Sequence, residues 1–166
     1  MHLGASNWLA AHIDTPSRVL EFGSLNINGT ARDYAPNAFW WGLDMQDGPG
    51  VDEVADAASW CPIESFEADT VICAEVLEHT PKAIQIIANA YRHLKPGGRF
   101  LMTCASHGRQ PHSAIDGGPL RDGEYYQNIT PADYKIMAKL AGFVITHSQY
   151  HADRGDLYAL GIKPHE

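Results

Sequence analysis

Glu75-Val76-Leu77-Glu78-His79 puts two carboxylates and an imidazole into five consecutive residues. On a turn of helix, positions three and four apart share a face, so Glu75, Glu78 and His79 would point the same way. Oxygen and imidazole donors so arranged suit a divalent cation such as Mg²⁺ or Zn²⁺. A cation there would lower the pKa of a nearby hydroxyl and make it a nucleophile at neutral pH. The plainer reading leaves His79 to pack or cap, with no metal. A second set of residues lies earlier. Val19-Leu20-Glu21-Phe22-Gly23-Ser24 reads as a strand entering a glycine turn, where the backbone can approach a nucleoside closely. Asp44 ends the next apolar run, where a carboxylate can accept both ribose hydroxyls. Asp56 ends the third, where a carboxylate can accept from an adenine amino group. Each Asp alone is more often a turn former or a cap. Acidic residues at three successive strand ends, however, meet in one crevice when the strands run parallel.

The elements needed to position these residues can be read from pattern. Apolar runs at Arg18–Phe22, Phe39–Leu43, Val51–Ala55, Asp69–Ala74 and Arg99–Thr103 read as strands. Helices are predicted over Ser6–Ile13, from Gly29 to just before Pro36, over Pro81–Leu94, and from Thr130-Pro131 through Leu140 to a stop at Gly142. The Pro81–Leu94 helix has its apolar face on Ala83, Ile84, Ile87, Ala90, Tyr91 and Leu94. Phe143–Tyr150 and Leu157–Ile162 read as an antiparallel pair turned at Asp153–Asp156. Strands alternating with helices imply a parallel sheet with right-handed crossovers. Met45–Gly50 carries Gly48-Pro49-Gly50 and is too short for a crossover helix, so one face of the sheet near Val51–Ala55 should be under-covered. Such a bare face invites a homodimer.

Composition narrows the function classes. The chain has 166 residues, with 45% hydrophobic and 19% charged, which fits one globular domain over 1–166. A net charge of -8 without a Lys/Arg cluster argues against general nucleic-acid binding. No apolar run is long enough for a membrane span, and the opening residues lack the pattern of a signal peptide. With three widely spaced cysteines, a cytoplasmic location is expected. The Ser106–Ile129 segment is long for a loop and rich in Gly, Pro, His and Tyr, so it reads as an ordered flap over a substrate.

Taken in order, Leu20-Glu21-Phe22-Gly23, Gly42-Leu43-Asp44, Ala55-Asp56-Ala57, Glu75-Val76-Leu77-Glu78-His79 and Leu94-Lys95-Pro96-Gly97-Gly98-Arg99-Phe100 resemble the ordered motifs of class I methyltransferases dependent on S-adenosylmethionine (SAM). The resemblance runs from about Arg18 to Ile162. It implies a three-layer, Rossmann-like α/β sandwich with a mostly parallel seven-stranded sheet and an antiparallel C-terminal hairpin strand. It implies Glu21, Gly23, Ser24 and Gly29 around the methionine part of SAM, and Asp44 and Met45 at the ribose and adenine. Asp56 and Ala57 would border the adenine edge, and Glu75 would form the floor under the sulfonium. Two departures stand out: Leu25 replaces the middle glycine of a G-x-G-x-x-G turn, and the second crossover helix is missing.

The expected activity is methyl transfer to an O or N atom of an unidentified acceptor, with His107, His79 and Tyr125 nearest to it. The acidic motif is also similar to that of ubiquinone-pathway O-methyltransferases and small-RNA 2′-O-methyltransferases, in which it ligates a metal. That similarity implies a set of Glu75, Glu78 and His79, closed by His107 or His112. Two rival readings are a non-catalytic SAM-binding partner module and an enzyme using SAM for other chemistry.

Overall fold

The computed structural model describes residues 2–62 and 65–165. Its sheet is built from β1 (Arg18–Phe22), β2 (Phe39–Asp44), β3 (Glu53–Val54), β4 (Ala68–Ala74), β5 (Leu94–Ala105), β6 (Val144–His151) and β7 (Asp156–Ile162). Helices α1 (Leu3–His12), α2 (Ala83–His93) and α3 (Pro131–Ala141) flank it, with short 3-10 turns at Ala31–Tyr34 and Leu77–His79. The seven strands lie in the order β3-β2-β1-β4-β5-β7-β6. Pairing is parallel from β3 through β5, and β7 runs antiparallel to both its neighbours.

Strand residues alternate between two cores, as the two-residue repeat of a sheet requires. Leu20, Phe22, Val71, Cys73, Phe100 and Met102 face α2 and α3, meeting Ile86, Ile87, Ala90, Tyr134 and Ala138. Val19, Ile72, Leu101 and Leu160 face the other way and meet Ala5, Trp8, Leu9 and Ile13 of α1 and Ala31. Because both faces are covered, the central strands read as unbroken apolar runs. This is the expected three-layer sandwich.

Several elements differ from the sequence expectation. The helix expected from Gly29 is a single 3-10 turn: Thr30 accepts from the Arg32 amide at 3.2 Å, and Pro36 follows too soon for further turns. On α2, Ile86 joins the buried stripe, whereas Ile84 is exposed. Strand β3 shrinks from five expected residues to Glu53–Val54. Lys95–Gly98 falls inside β5, next to an irregularity in its register with β4. As expected, no helix forms between Asp44 and Asp56. Helix α3 is capped by Thr130, whose hydroxyl accepts from the Asp133 amide at 3.1 Å, and ends at Gly142 with φ +106°.

Candidate functional site

A cleft of about 1480 Å³ runs across the carboxyl ends of the central parallel strands. Glu21, Gly23, Ser24, Gly29, Asp44, Met45, Asp56, Ala57 and Glu75 all line it. They converge because β1 lies in parallel register between β2 and β4, bringing three strand ends to one edge. Gly23 takes φ +76°, and a Cβ there would overlap Val76 Cγ2, so the turn needs glycine on two counts. The Gly23 and Ser24 amides donate to Leu43 O at 2.9 and 3.0 Å. Asp44 accepts from the Leu25 amide through Oδ2 and from the Gln46 amide through Oδ1, both at 3.1 Å. Leu25 thus meets Asp44 through its backbone amide, and its φ is not positive, so its conformation does not call for glycine. Asp56 accepts from Lys82 Nζ at 2.8 Å and from the Ala58 amide at 2.9 Å. The Lys82 hydrogen bond holds its carboxyl below the usual carboxylate range. Glu21 is 6% exposed, and burial pushes its pKa up to about 8. Arg32, with Nε 4.0 Å from Glu21 Oε2, opposes that rise, whereas Asp52 and Asp44 add to it.

The other end of the cleft is built by Glu75, His2 and the 106–130 segment. Glu75 sits at φ +58°, an uncommon conformation for a residue with a side chain. It is held by its amide to Thr103 O and by Thr103 Oγ1 donating to Oε1, both at 2.8 Å. His2 caps α1 through Nδ1, which accepts from the Gly4 amide at 3.2 Å. Its Nε2 lies 3.6 Å from Glu75 Oε2 and 3.4 Å from Asp156 Oδ2. Buried Asp156 pairs with Arg109 at 2.7 Å and accepts from Tyr158 OH at 3.0 Å. The long segment is tied internally by Ser113 to Gly118 and Glu124 and by Arg121 to Asp116. Its Gly108–Pro119 stretch, the flap of the sequence reading, lines the cleft.

Beneath the flap, His79, His112 and Tyr126 form an edge-on cluster with ring centroids 5.0–5.5 Å apart. Burial pushes the His79 pKa down to about 4; neighbouring His112 adds to the fall and Glu124 opposes it. Glu78 is 0% exposed and accepts from the Ala105 amide at 2.8 Å through Oε1. Candidate ligand atoms of Glu78, His79 and His112 lie within 4.8 Å of one another.

Residues 27–102 match a family model described as a methyltransferase domain. Over those residues the chain is similar to methyltransferase domains, and its fold is Rossmann-like. It is 31% identical over 106 residues to the ubiquinone biosynthesis O-methyltransferase of Thiobacillus denitrificans, across 58% of this chain and 46% of that protein. The chain therefore spans about half the length of the curated relative it matches. The Burkholderia thailandensis 1,6-didemethyltoxoflavin-N1-methyltransferase, solved with 1,6-didemethyltoxoflavin and S-adenosylhomocysteine, shares the fold at TM-score 0.71 and 20% identity. That likeness covers 98% of this chain and 78% of that one. A chain from the complex between the Haloferax volcanii Trm112 methyltransferase activator and a methyltransferase matches at TM-score 0.72 and 18% identity, over 99% and 91% of the two chains.

At the flap end of the cleft, the structure places several of the residues singled out in the sequence differently from their expected positions. His107 is exposed and outside the cleft; its carbonyl accepts from Tyr150 OH at 2.9 Å, which fixes the backbone against β6. Tyr125 bonds Gln127 on the far side of the segment, and Tyr126 takes the inward place. His79 lines the cleft as expected. Glu75 and His107 fall outside the donor grouping, which is closed by His112. The helical-spacing argument fails at Glu75, because the 3-10 turn begins only at Leu77. Sequence reasoning also missed His2, Arg32 and Arg109, none of which has a local signal; each reaches the site through long-range packing. Among the described residues, no helix is long and apolar enough to cross a membrane.

Proposed function

We propose that this domain binds SAM in the cleft and transfers its methyl group to an O or N atom of an acceptor. The observation that carries this reading is the convergence of residues from four of the five motifs along one cleft, with a glycine turn at Gly23 and the carboxylates of Glu21, Asp44, Asp56 and Glu75 at or just after the ends of β1 to β4. The donor set fits the cofactor: Ser24 Oγ and Glu21 Oε2 are buried without a hydrogen-bond partner. Asp44 and Glu75 offer carboxylates to a cationic ligand, while Glu21, raised to about 8 by burial, adds its charge only once a cation or higher pH ionises it. SAM, when bound, supplies an activated methyl group on a sulfonium leaving centre.

The protein's remaining task is to align the acceptor, exclude water and take up a proton. The flap residues Gly108–Pro119 line one wall of the cleft. His79, held neutral by burial, lines the cleft against His112 of the flap and can accept a proton. A second reading, in which Glu78, His79 and His112 hold a divalent metal that activates an acceptor hydroxyl, is supported by the spacing of their ligand atoms. The acceptor is left at the level of its reacting atom. Homodimerisation is supported by Phe39 and Val54, both exposed near the β3 edge. A reducing compartment such as the cytoplasm fits three unpaired thiols.

The test is calorimetric titration with SAM and S-adenosylhomocysteine, followed by a screen for transfer of labelled methyl groups. Asp44→Ala should weaken binding by about 1–3 kcal/mol, because two ribose hydroxyls lose their acceptor. Unchanged affinity in a folded Asp44→Ala protein overturns the cofactor assignment. Binding that yields methylthioadenosine, or no turnover at all, favours the rival readings of other SAM chemistry or a partner module.

A further inference from the structure

Where a second crossover helix is missing, something else must fix the chain between β2 and β3. The Met45–Gly50 loop borders the cofactor end of the cleft, and its own hydrogen bonds stitch it to the glycine turn. Asn26 N donates to Pro49 O at 2.7 Å, and Asp44 accepts from both the Leu25 and Gln46 amides. Contact is so close that a Cβ at Gly50 would meet Ser24 O at 2.6 Å. At Gly42, a Cβ would overlap Gly50 O and crowd Ser24 Oγ and Arg32 Nη2. Four segments thus converge on one small space.

Arg32 occupies its centre. Its Nη2 donates to Gly50 O at 2.7 Å and to Asp52 Oδ2 at 2.5 Å. Asp52 Oδ2 in turn accepts from the Gly42 amide at 2.7 Å, which locks the clamp to β2. The guanidinium lies 5.8 Å from the Trp40 ring centroid and directs Nε toward Glu21 Oε2. One side chain therefore bridges β1, β2 and the loop that stands in for the helix.

We propose that Arg32 is a positioning residue for the cofactor: it clamps the 45–52 loop against the 23–29 turn, replacing the missing crossover helix, and sets a positive charge beside Glu21. The inference rests on reading the cleft as the SAM site. A guanidinium is suited to the task, because its planar fork can serve a carbonyl, a carboxylate and an aromatic face together. A lysine can keep the charge but only part of the fork.

The experiment compares wild type with Arg32→Met, Arg32→Lys and Asp52→Asn by calorimetry with S-adenosylhomocysteine and by amide hydrogen exchange. Failure of the wild type to bind S-adenosylhomocysteine refutes the reading of the cleft, and with it the premise. If the wild type binds, Arg32→Met is expected to lose at least tenfold in affinity. Exchange at the loop amides of residues 46–51 should speed up while the amides of β4 and β5 keep their protection. Arg32→Lys should recover part of the affinity, and Asp52→Asn should show a smaller loss with the same loop signature. Should Arg32→Met fail to fold, Arg32→Lys and Asp52→Asn carry the comparison. The proposal is overturned by affinity within twofold of wild type in the folded variants, or by an affinity loss without faster exchange in the loop.

Discussion

Gly23→Ala tests the geometry of the cofactor turn with a single methyl group. Two penalties are built into the position. An alanine at φ +76° must adopt the left-handed region, at a cost of about 1–2 kcal/mol. Its Cβ would also overlap Val76 Cγ2 by more than ~1 Å relative to an ordinary carbon contact. Relieving such overpacking costs about 1–3 kcal/mol. The expected total is about 2–5 kcal/mol, a large fraction of the ~5–15 kcal/mol that stabilises a typical domain. Val76→Ala in the same chain removes the overlap but not the backbone strain. The double variant should therefore regain most of the packing penalty and keep a deficit of about 1–2 kcal/mol. Urea denaturation of the four proteins in the cycle measures both parts. Gly23→Ala within about 0.5 kcal/mol of wild type, or a cycle with no coupling between the sites, would refute the reasoning.

Two further outcomes can be read from the titrating groups and the donor cluster. Glu21 has a folded pKa of about 8 against an ordinary value of 4.5, so its proton binds more tightly in the folded state. Its contribution is full below the unfolded value and is lost as pH rises through the folded one. Glu21→Gln should therefore flatten the loss of stability between pH 5 and 9, by at most about 5 kcal/mol. Urea midpoints at pH 6 and pH 9 that shift equally in both proteins would contradict it. For the metal reading, exhaustive chelation should abolish methyl transfer, with recovery on adding back a single divalent ion. Full turnover by a metal-free protein would return Glu78, His79 and His112 to packing and proton transfer.

The strand framework was legible because its signals are local. Arg18–Phe22 and the hairpin carry strong apolar patterning bounded by Gly23 and by Asp153–Asp156. The missing helix was legible because Gly48-Pro49-Gly50 opposes helix whatever surrounds it. The convergence of Glu21, Asp44, Asp56 and Glu75 on one cleft followed from strand ends, whose direction the parallel topology fixes. At the flap end, the placement of side chains was not legible, for reasons of parity and phase. Tyr125 and Tyr126 are adjacent in a segment without helix, so one points inward and the other outward, and nothing local chooses between them. Glu75 lies one backbone conformation short of the turn that carries Glu78, and its φ of +58° rotates it out of helical phase. His2 reaches the cleft because α1 packs through Trp8 and Tyr158, a contact that joins the two ends of the chain.

The two ends of the cleft are consequently built on different principles. At the cofactor end, side chains project from the ends of hydrogen-bonded strands, and Asp44 and Glu75 are each fixed by at least two hydrogen bonds. At the other end, the lining comes mainly from one flap, tied by its own polar bonds and anchored to the sheet through Arg109 and Asp156. A scaffold of this kind can keep cofactor geometry constant while a single segment changes what lies opposite it. The His79, His112 and Tyr126 rings meet where these two halves join: His79 comes from the rigid turn after β4, and the other two from the flap. A shift of the flap therefore moves two of the three rings relative to the third, which couples the environment of the neutral imidazole of His79 to whatever the flap closes upon.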